Sequence, residues 1–254
     1  MESSGTVDEP KLFAELRSDK EICEEDKRKA EEAVNTLFNL NFDLAPFYKD
    51  TKDDKIMAHL TRKLLGLKSP TTQMAFEALV DSIVEQQISL KVANSIEKKL
   101  TKKFGDNLNL DGEVYYAYPT PQSLATQGTE AFRQCGLSQR KAEYITEAST
   151  LITEGKLDLE LLKHSENADD IIRELDKLRG VGVWTAELTM IRGMQRLEAL
   201  PADDLGLKRT ISHYYCGGKA ITSTEARQIA KSWGMWKGLA AYYLIVAEML
   251  GIEA

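Results

Sequence analysis

A short glycine-containing segment joins two predicted helices in the second half of the chain. An amphipathic helix ends at Leu178, another begins around Trp184, and Gly180 and Gly182 lie between them. Glycine permits positive φ angles and lets a second backbone approach closely, so the connection is predicted to be a tight hairpin. The N–H groups at the start of the second helix would then be exposed and suited to binding one phosphate. An ordinary hairpin between two helices would explain the same residues.

Two adjacent aspartates follow the second of these helices. Asp203 and Asp204 come after Pro201 and directly before a helix predicted from the apolar positions of residues 205–214. Aspartate is a favoured N-cap, and such a cap stabilises a helix by about 1 kcal/mol. The positive end of a helix also favours a charged carboxylate, which suits a reaction that develops positive charge. The residues alone leave both interpretations open.

A polar residue ends an apolar stripe earlier in the chain. Apolar side chains recur at helical spacing from Phe76 to Val84, and the next position on that stripe is Gln87. Ser89 is then suited to cap a second helix that runs to Lys103. A polar cap at the end of the first helix is one explanation of Gln87.

Cysteine and histidine give no pattern typical of a metal site or a disulfide framework. The three cysteines, Cys23, Cys135 and Cys216, are far apart in the chain. His213 lies three residues before Cys216, but no further ligands lie nearby, so a plain helix face explains the pair. No metal is expected from these side chains.

Composition predicts a soluble, globular, intracellular protein. Of 254 residues, 43% are hydrophobic and 29% are charged, which excludes wholesale disorder. No apolar stretch reaches the roughly 20 residues that a membrane-spanning helix needs, and no signal-peptide core is present near residue 1. The net charge of −7 is uneven, because residues 177–237 contain 10 basic and 5 acidic side chains. This local excess of positive charge is compatible with a polyanionic partner.

The periodicity predicts an all-α protein. Helical spacing recurs along most of the chain, and no segment alternates with period two between hairpin turns. Thr222 and Glu225 form a predicted capping box. In residues 1–35, acidic and basic side chains are interleaved at helical spacing, which is typical of a solvated acidic helical extension.

Taken together, the hairpin and the downstream aspartate resemble the helix–hairpin–helix DNA glycosylase superfamily. Asp204 lies 22 residues after Gly182 and five before Arg209, as in the catalytic loop of that family. The closest resemblance is to the alkylbase branch, the 3-methyladenine DNA glycosylase II type. It covers about residues 36–250 and includes three further segments: Phe76 to Ser89, Gly136 to Ala142, and Trp236 to Leu244.

The resemblance implies two helical lobes with the active site in the cleft between them. One lobe would comprise residues 73–196 and the other residues 36–72 plus 197–254. Carried over position by position, the catalytic residue would be Asp204, the wedge that fills the hole left by an extruded base would be Gln87, and the base pocket would include Trp184 and Tyr242. The DNA-binding hairpin would comprise Arg179, Gly180, Val181 and Gly182.

Departures from the family pattern refine the expected chemistry. Trp184 stands where lyase-competent members have a nucleophilic lysine, so hydrolysis by water without lyase activity is expected. The four-cysteine cluster loop of another branch is missing. Arg179 replaces the usual proline, and Val183 replaces the usual basic residue. No cofactor is implied other than a monovalent cation held by the hairpin carbonyls.

The function that this resemblance implies is excision of alkylated bases such as 3-methyladenine and 7-methylguanine from double-stranded DNA. Two alternatives stay open: a glycosylase for deaminated bases such as hypoxanthine or uracil, and a non-catalytic DNA-binding module. The protein is expected to be a monomer that does not bind membranes. It would be cytoplasmic in a prokaryote and nuclear in a eukaryote.

Overall fold

Helices make up most of the protein in the computed structural model, which describes residues 1–6 and 9–253. The predicted all-α class is confirmed. The helices are α1 (Glu24–Leu37), α2 (Ala45–Asp50), α3 (Lys55–Lys63), α4 (Ala75–Glu85), α5 (Leu90–Phe104), α6 (Pro121–Ala125), α7 (Thr129–Arg133), α8 (Gln139–Thr153), α9 (Leu159–Leu162), α10 (Ala168–Asp176), α11 (Val183–Met194), α12 (Leu205–Cys216), α13 (Ser223–Ile229) and α14 (Lys237–Met249), with a 3₁₀ segment at Ala230–Trp236. Among the described residues, every helix is too short or too polar to cross a membrane.

Capping residues set several helix starts. At α13, the Thr222 hydroxyl accepts a hydrogen bond from the N–H of Glu225 at 3.2 Å, and the Thr222 N–H donates to the Glu225 carboxylate at 2.7 Å. This reciprocal pair confirms the predicted capping box. At α8, the Ser138 hydroxyl accepts from the N–H of Lys141 at 3.3 Å. Each cap satisfies a donor that helix geometry leaves without an internal acceptor.

The buried apolar side chains form two clusters rather than one. The first lies between Ala75 and Ala199, and the second combines Leu44 to Leu60 with Leu197 to Ala247. Ile191 of α11 is packed against both clusters. Because no buried residue belongs to both clusters, they form two separate cores, and these cores meet at Ile191 of α11.

The border between the clusters lies near Leu197 to Ala199, close to the lobe border expected from the sequence, 73–196 against 36–72 plus 197–254, which stays a prediction. The chain leaves the second core near Leu60 and returns to it near Leu197. Residues before Leu60 and after Leu197 therefore share one core although they are far apart in the sequence.

Helices α4 and α11 cross at unusually close range. A Cβ atom added to Gly193 would lie 2.7 Å from the Ala75 Cα atom and 2.8 Å from the Ala78 Cβ atom. Glycine at this position therefore allows a backbone approach that any larger residue would prevent. The crossing brings the end of α4 close to the start of α11.

Two short antiparallel hairpins lie outside the helical cores. Strands β1 (Glu2–Gly5) and β2 (Pro10–Phe13) form one, and β3 (Asn107–Leu110) and β4 (Glu113–Tyr116) form the other. The first differs from the predicted helical extension over residues 1–35, in which helix begins only at Glu24. Gly5 has a positive φ of 91°, and Pro10 cannot donate a helical hydrogen bond, so neither favours a continuous helix.

Carboxyl groups are concentrated between α4 and α5. Asp81 accepts a hydrogen bond from the Tyr118 hydroxyl at 2.6 Å, while Glu97 has a buried Oε1 atom with no hydrogen-bond partner among the described residues. Burial, reinforced by the neighbouring carboxylates Glu77 and Glu85, raises the pKa of Asp81 to about 7. Burial and the charge of Glu85 likewise raise the pKa of Glu97 to about 7, against the opposing effect of Arg192.

We expect Glu97→Gln to raise the melting temperature by a few degrees at pH 8 and by much less at pH 5. The folded state keeps the carboxyl proton of Glu97 up to about pH 7, whereas the unfolded chain releases it at about pH 4. Stability therefore falls as the pH rises between these values, and the neutral amide removes the Glu97 contribution to that fall. Melting curves of both proteins across this pH range measure the effect, and an equal shift at both pH values would contradict it.

Candidate active site and nucleic-acid interface

A hairpin of residues 177–182 joins α10 to α11. The N–H of Leu178 donates to the carbonyl of Leu175 at 3.0 Å, and the N–H of Val181 donates to the carbonyl of Leu178 at 3.1 Å. Gly180 has a φ of 80°, and a Cβ atom there would lie 2.1 Å from the ring of Tyr144. Gly180 is therefore required both by its backbone conformation and by the ring packed against it.

The N-terminus of α11 is open on the outside of the hairpin. Gly182 is the N-cap and is exposed, no side chain caps the helix, and a Cβ atom at Gly182 would meet nothing within 4 Å. The first helical hydrogen bond runs from the N–H of Ala186 to the carbonyl of Gly182. Helix geometry leaves the N–H groups before Ala186 without internal acceptors, at the positive end of the helix dipole. This arrangement is suited to an anion such as a phosphate.

The predicted hairpin has two residues with side chains, Arg179 and Val181, and both side chains are engaged within the protein. The Arg179 guanidinium lies 2.9 Å from the Glu143 carboxylate and 5.5 Å from the centre of the Tyr144 ring. The charge of Arg179 is thus partly balanced within the protein. Val181 is buried in the first core, so only its main chain is available to a ligand.

Gln86 fastens the loop after α4 to this hairpin and Lys141 fastens it to α8, and the sequence did not assign either residue a role. Gln86 Nε2 donates to the Gly180 carbonyl at 2.8 Å and to the Thr185 hydroxyl at 2.9 Å. Lys141 Nζ donates to the carbonyls of Val84 at 2.7 Å and Gln86 at 2.6 Å, and burial lowers its pKa. For Gln86, the only signal in the sequence was its position directly before Gln87, the predicted wedge.

Gln87 projects from this fastened loop. Its φ of 56° lies in the left-handed region, and its side chain is exposed, as are those of Ile88 and Leu90. The C-cap of α4 is Gln86, so the explanation of Gln87 as a helix cap does not apply. A polar side chain and two apolar ones therefore extend outward from a loop hydrogen-bonded to the hairpin.

Asp204 caps α12, and Asp203 is bound elsewhere. The Asp204 Oδ1 atom accepts from the N–H of Leu207 at 2.8 Å, while Asp204 Oδ2 makes no hydrogen bond within the described part of the chain. Asp203 Oδ1 accepts from the Ser223 hydroxyl at 2.6 Å. Asp204 is half-buried, and Leu205 beside it is 79% exposed. One carboxylate oxygen of Asp204 is thus fixed by the helix and the other is available.

The two predicted pocket aromatics lie on neighbouring helices. Trp184 is in the first turn of α11, and Tyr242 is on α14; both are half-buried, and neither ring pairs with another aromatic ring in the described structure. Burial raises the pKa of Tyr242. The two helices touch at Gly238, where a Cβ atom would lie 3.0 Å from Ile191. No direct contact joins Trp184, Tyr242 and Asp204 among the described hydrogen bonds and ring pairs.

A separate cleft of about 480 Å³ lies along another face of α11. Its walls come from α10, α11 and the second lobe and include Ile172, Val183, Met190 and Lys237. None of the residues predicted for catalysis or base binding lines it. Within residues 1–6 and 9–253, no three His, Cys, Asp or Glu side chains are grouped closely enough to hold a metal ion.

Comparisons with known proteins agree with this architecture. The family model "HhH-GPD superfamily base excision DNA repair protein" matches residues 80–235. The DNA-3-methyladenine glycosylase of Bacillus subtilis is 30% identical over 241 residues, which cover 94% of this chain and 78% of that protein.

Two solved structures have the same fold. The 3-methyladenine DNA-glycosylase from Archaeoglobus fulgidus is 27% identical with a TM-score of 0.80, covering 91% of this chain and 78% of that one. The Clostridium acetobutylicum 8-oxoguanine glycosylase/lyase bound to double-stranded DNA is 24% identical with a TM-score of 0.77, covering 89% and 77%. The second likeness concerns the fold alone. The resemblance noted in the sequence is confirmed, and the chain belongs to the HhH-GPD superfamily of base excision DNA repair proteins.

Proposed function

We propose that this protein is a monofunctional DNA glycosylase that removes alkylated bases, of the 3-methyladenine and 7-methylguanine type, from double-stranded DNA. The observation that carries the proposal is Asp204, whose carboxylate is fixed through one oxygen by the N–H of Leu207 while its second oxygen has no hydrogen-bond partner among the described residues. A module that only binds DNA requires the hairpin and no such carboxylate. The names of the B. subtilis and A. fulgidus relatives support the choice of alkylated bases.

Binding begins with the DNA backbone. The open N-terminus of α11 holds one phosphate through main-chain N–H groups, which gives affinity without sequence preference. A base inside a duplex must leave the stack before its glycosidic bond is accessible. Gln87, held outward by the loop that Gln86 and Lys141 fasten, fills the space that the base leaves.

The extruded base stacks on Trp184, with Tyr242 of the neighbouring helix completing the pocket. Alkylation at a ring nitrogen makes the purine cationic, and a cation is attracted to the electron-rich face of an indole. The same positive charge makes the base a good leaving group, so no strong general acid is needed. Selectivity then comes from the charge of the damaged base rather than from hydrogen bonds to its edge.

Asp204 acts on the sugar. As the glycosidic bond breaks, positive charge develops on the deoxyribose, and a carboxylate placed beside it stabilises that charge electrostatically. The available Oδ2 atom also orients or activates the attacking water. Lys141 is engaged with two carbonyl groups and is not placed as a nucleophile. The expected monovalent cation remains a prediction, and the Gly180 carbonyl already accepts from Gln86, so other hairpin carbonyls would have to bind it.

Replacing Asp204 by asparagine tests the catalytic role. Asparagine caps helices about as well as aspartate but has no charge, so Asp204→Asn should fold, bind lesion DNA and lose about a hundredfold or more in excision rate. Asp203→Asn, the matched control, should lose much less. Single-turnover excision from alkylated duplexes and melting curves measure both variants. Near-normal excision by Asp204→Asn would refute the assignment, and an inactive Asp203→Asn would move the role one residue back.

The product strand should remain intact until alkali or an endonuclease is added. Trp184 occupies the position of a Schiff-base lysine, so hydrolysis leaves an abasic site without strand cleavage. Incubation with lesion DNA and borohydride should give no covalent protein–DNA adduct, in contrast to a lyase run in parallel. Adduct formation at the level of that lyase would contradict hydrolysis by water.

Two glycine variants separate phosphate binding from folding. Gly182→Asn keeps a good N-cap but places an amide oxygen over the N–H groups of α11, so affinity should fall for damaged and undamaged duplexes alike, with little change in melting temperature. Gly180→Ala should instead lower the melting temperature, because its Cβ atom meets Tyr144 and its φ is strained. Binding isotherms and melting curves distinguish the two. A Gly182→Asn protein with full affinity and altered base preference would show that the hairpin does not bind phosphate.

A further inference from the structure

An ion pair with a buried carboxylate joins α11 to α13. Glu187 of α11 has a side chain only 4% exposed, and its carboxylate accepts hydrogen bonds from both terminal nitrogens of Arg227 on α13, at 2.7 and 3.0 Å. Arg227 Nη1 also donates to the carbonyl of Leu200 at 3.0 Å. One guanidinium therefore holds α11, α13 and the loop that precedes Asp204.

The same helix holds that loop at a second point. Ser223 lies one turn before Arg227 on α13, and its hydroxyl donates to Asp203 at 2.6 Å. The loop is thus bound to α13 at Leu200 and at Asp203, immediately before Asp204. Between these points Pro201 and Ala202 are buried, and the Pro201 carbonyl accepts from the N–H of Asp204 at 2.9 Å.

Stability does not account for this arrangement. Burial raises the pKa of Glu187, and the two hydrogen bonds from Arg227 act in the opposite direction. The Arg227 side chain stays 40% exposed, but taking the Glu187 carboxylate out of water costs free energy that a well-packed apolar side chain would not incur. What the pair supplies is geometry, because a planar guanidinium bonded through two nitrogens fixes both the distance and the orientation of its carboxylate partner.

We propose that Glu187 and Arg227 are positioning residues that set the Asp204 carboxylate relative to Trp184. Glu187 follows Trp184 by three residues, about 4.5 Å along the helix axis, so the pair lies within one turn of the stacking residue. Arg227 links that turn to the loop bearing Asp204. A displacement of about 1 Å between reacting groups costs about a hundredfold in rate. The inference rests on the proposed glycosylase function.

Glu187→Gln and Arg227→Met test the proposal by separating catalysis from binding. Both should lower the single-turnover excision rate by about 10- to 100-fold while leaving the Kd for lesion DNA within about twofold. Arg227→Lys, which keeps the charge but not the two-nitrogen geometry, should be intermediate. The control is Glu85→Gln, which breaks the 2.7 Å pair between Glu85 of α4 and Arg192 of α11 inside one lobe. Its excision rate should remain near that of the wild type.

Amide hydrogen exchange gives a measurement that does not depend on excision. Exchange in residues 200–207 should be faster in Glu187→Gln and Arg227→Met and unchanged in Glu85→Gln, even if the wild type proves to excise nothing and the proposed function fails. Folded variants with wild-type exchange and wild-type excision would overturn the proposal, as would an equal loss in Glu85→Gln. If Arg227→Met does not fold, Ser223→Ala replaces it, with faster exchange at Asp203 and Asp204 as the expected result and unchanged exchange as the contrary one.

Discussion

The arrangement of the whole site depends on how closely other helices approach the backbone of α11. Gly193 lets α4 cross at van der Waals contact with Ala75 and Ala78, and Gly238 of α14 lies against Ile191. Both crossings occur where one partner has no side chain, so α11 belongs to the first core and also touches the second. Its N-terminal end follows the hairpin and carries Trp184 and the buried Glu187. Displacing α11 would therefore move the hairpin, Trp184 and Glu187 together.

The partially or fully buried carboxyl groups of this protein differ in whether their surroundings favour the neutral or the charged form. Asp81 and Glu97 lie in an apolar setting that favours their neutral forms. Glu187 is buried but faces a guanidinium, and Asp204 is half-buried at the positive end of a helix. At Asp204 one carboxylate oxygen accepts from the N–H of Leu207, and the other makes no hydrogen bond among the described residues, so capping is compatible with the proposed catalytic role. The N-cap and the proposed catalytic role would use different oxygens of this side chain.

Local chemistry in the sequence predicted the helices, the capping box at Thr222, the left-handed glycine of the hairpin and the N-cap at Asp204. These features depend on residues a few positions apart. Gln86, Lys141 and the Glu187–Arg227 pair were missed because their partners lie 40 or more positions away and no periodicity relates them. The strand pair Glu2–Gly5 and Pro10–Phe13 was missed because strands of four residues are too short to show a period of two, and the helical charge spacing of residues 21–32 was extended over the whole segment. Arg179, predicted as part of the DNA-binding hairpin, pairs with Glu143 while its side chain stays 57% exposed, and its contact with DNA stays a prediction.

The substrate is the central claim, and one measurement addresses it directly. The wild-type protein should be incubated with duplexes that each carry a single lesion, 3-methyladenine, 7-methylguanine, hypoxanthine, uracil or 8-oxoguanine, and abasic sites should then be revealed with hot alkali. The account predicts that the two cationic alkylated purines are released and that their strands break only after alkali. Release of a neutral lesion such as 8-oxoguanine, hypoxanthine or uracil with no release of the alkylated purines would contradict it.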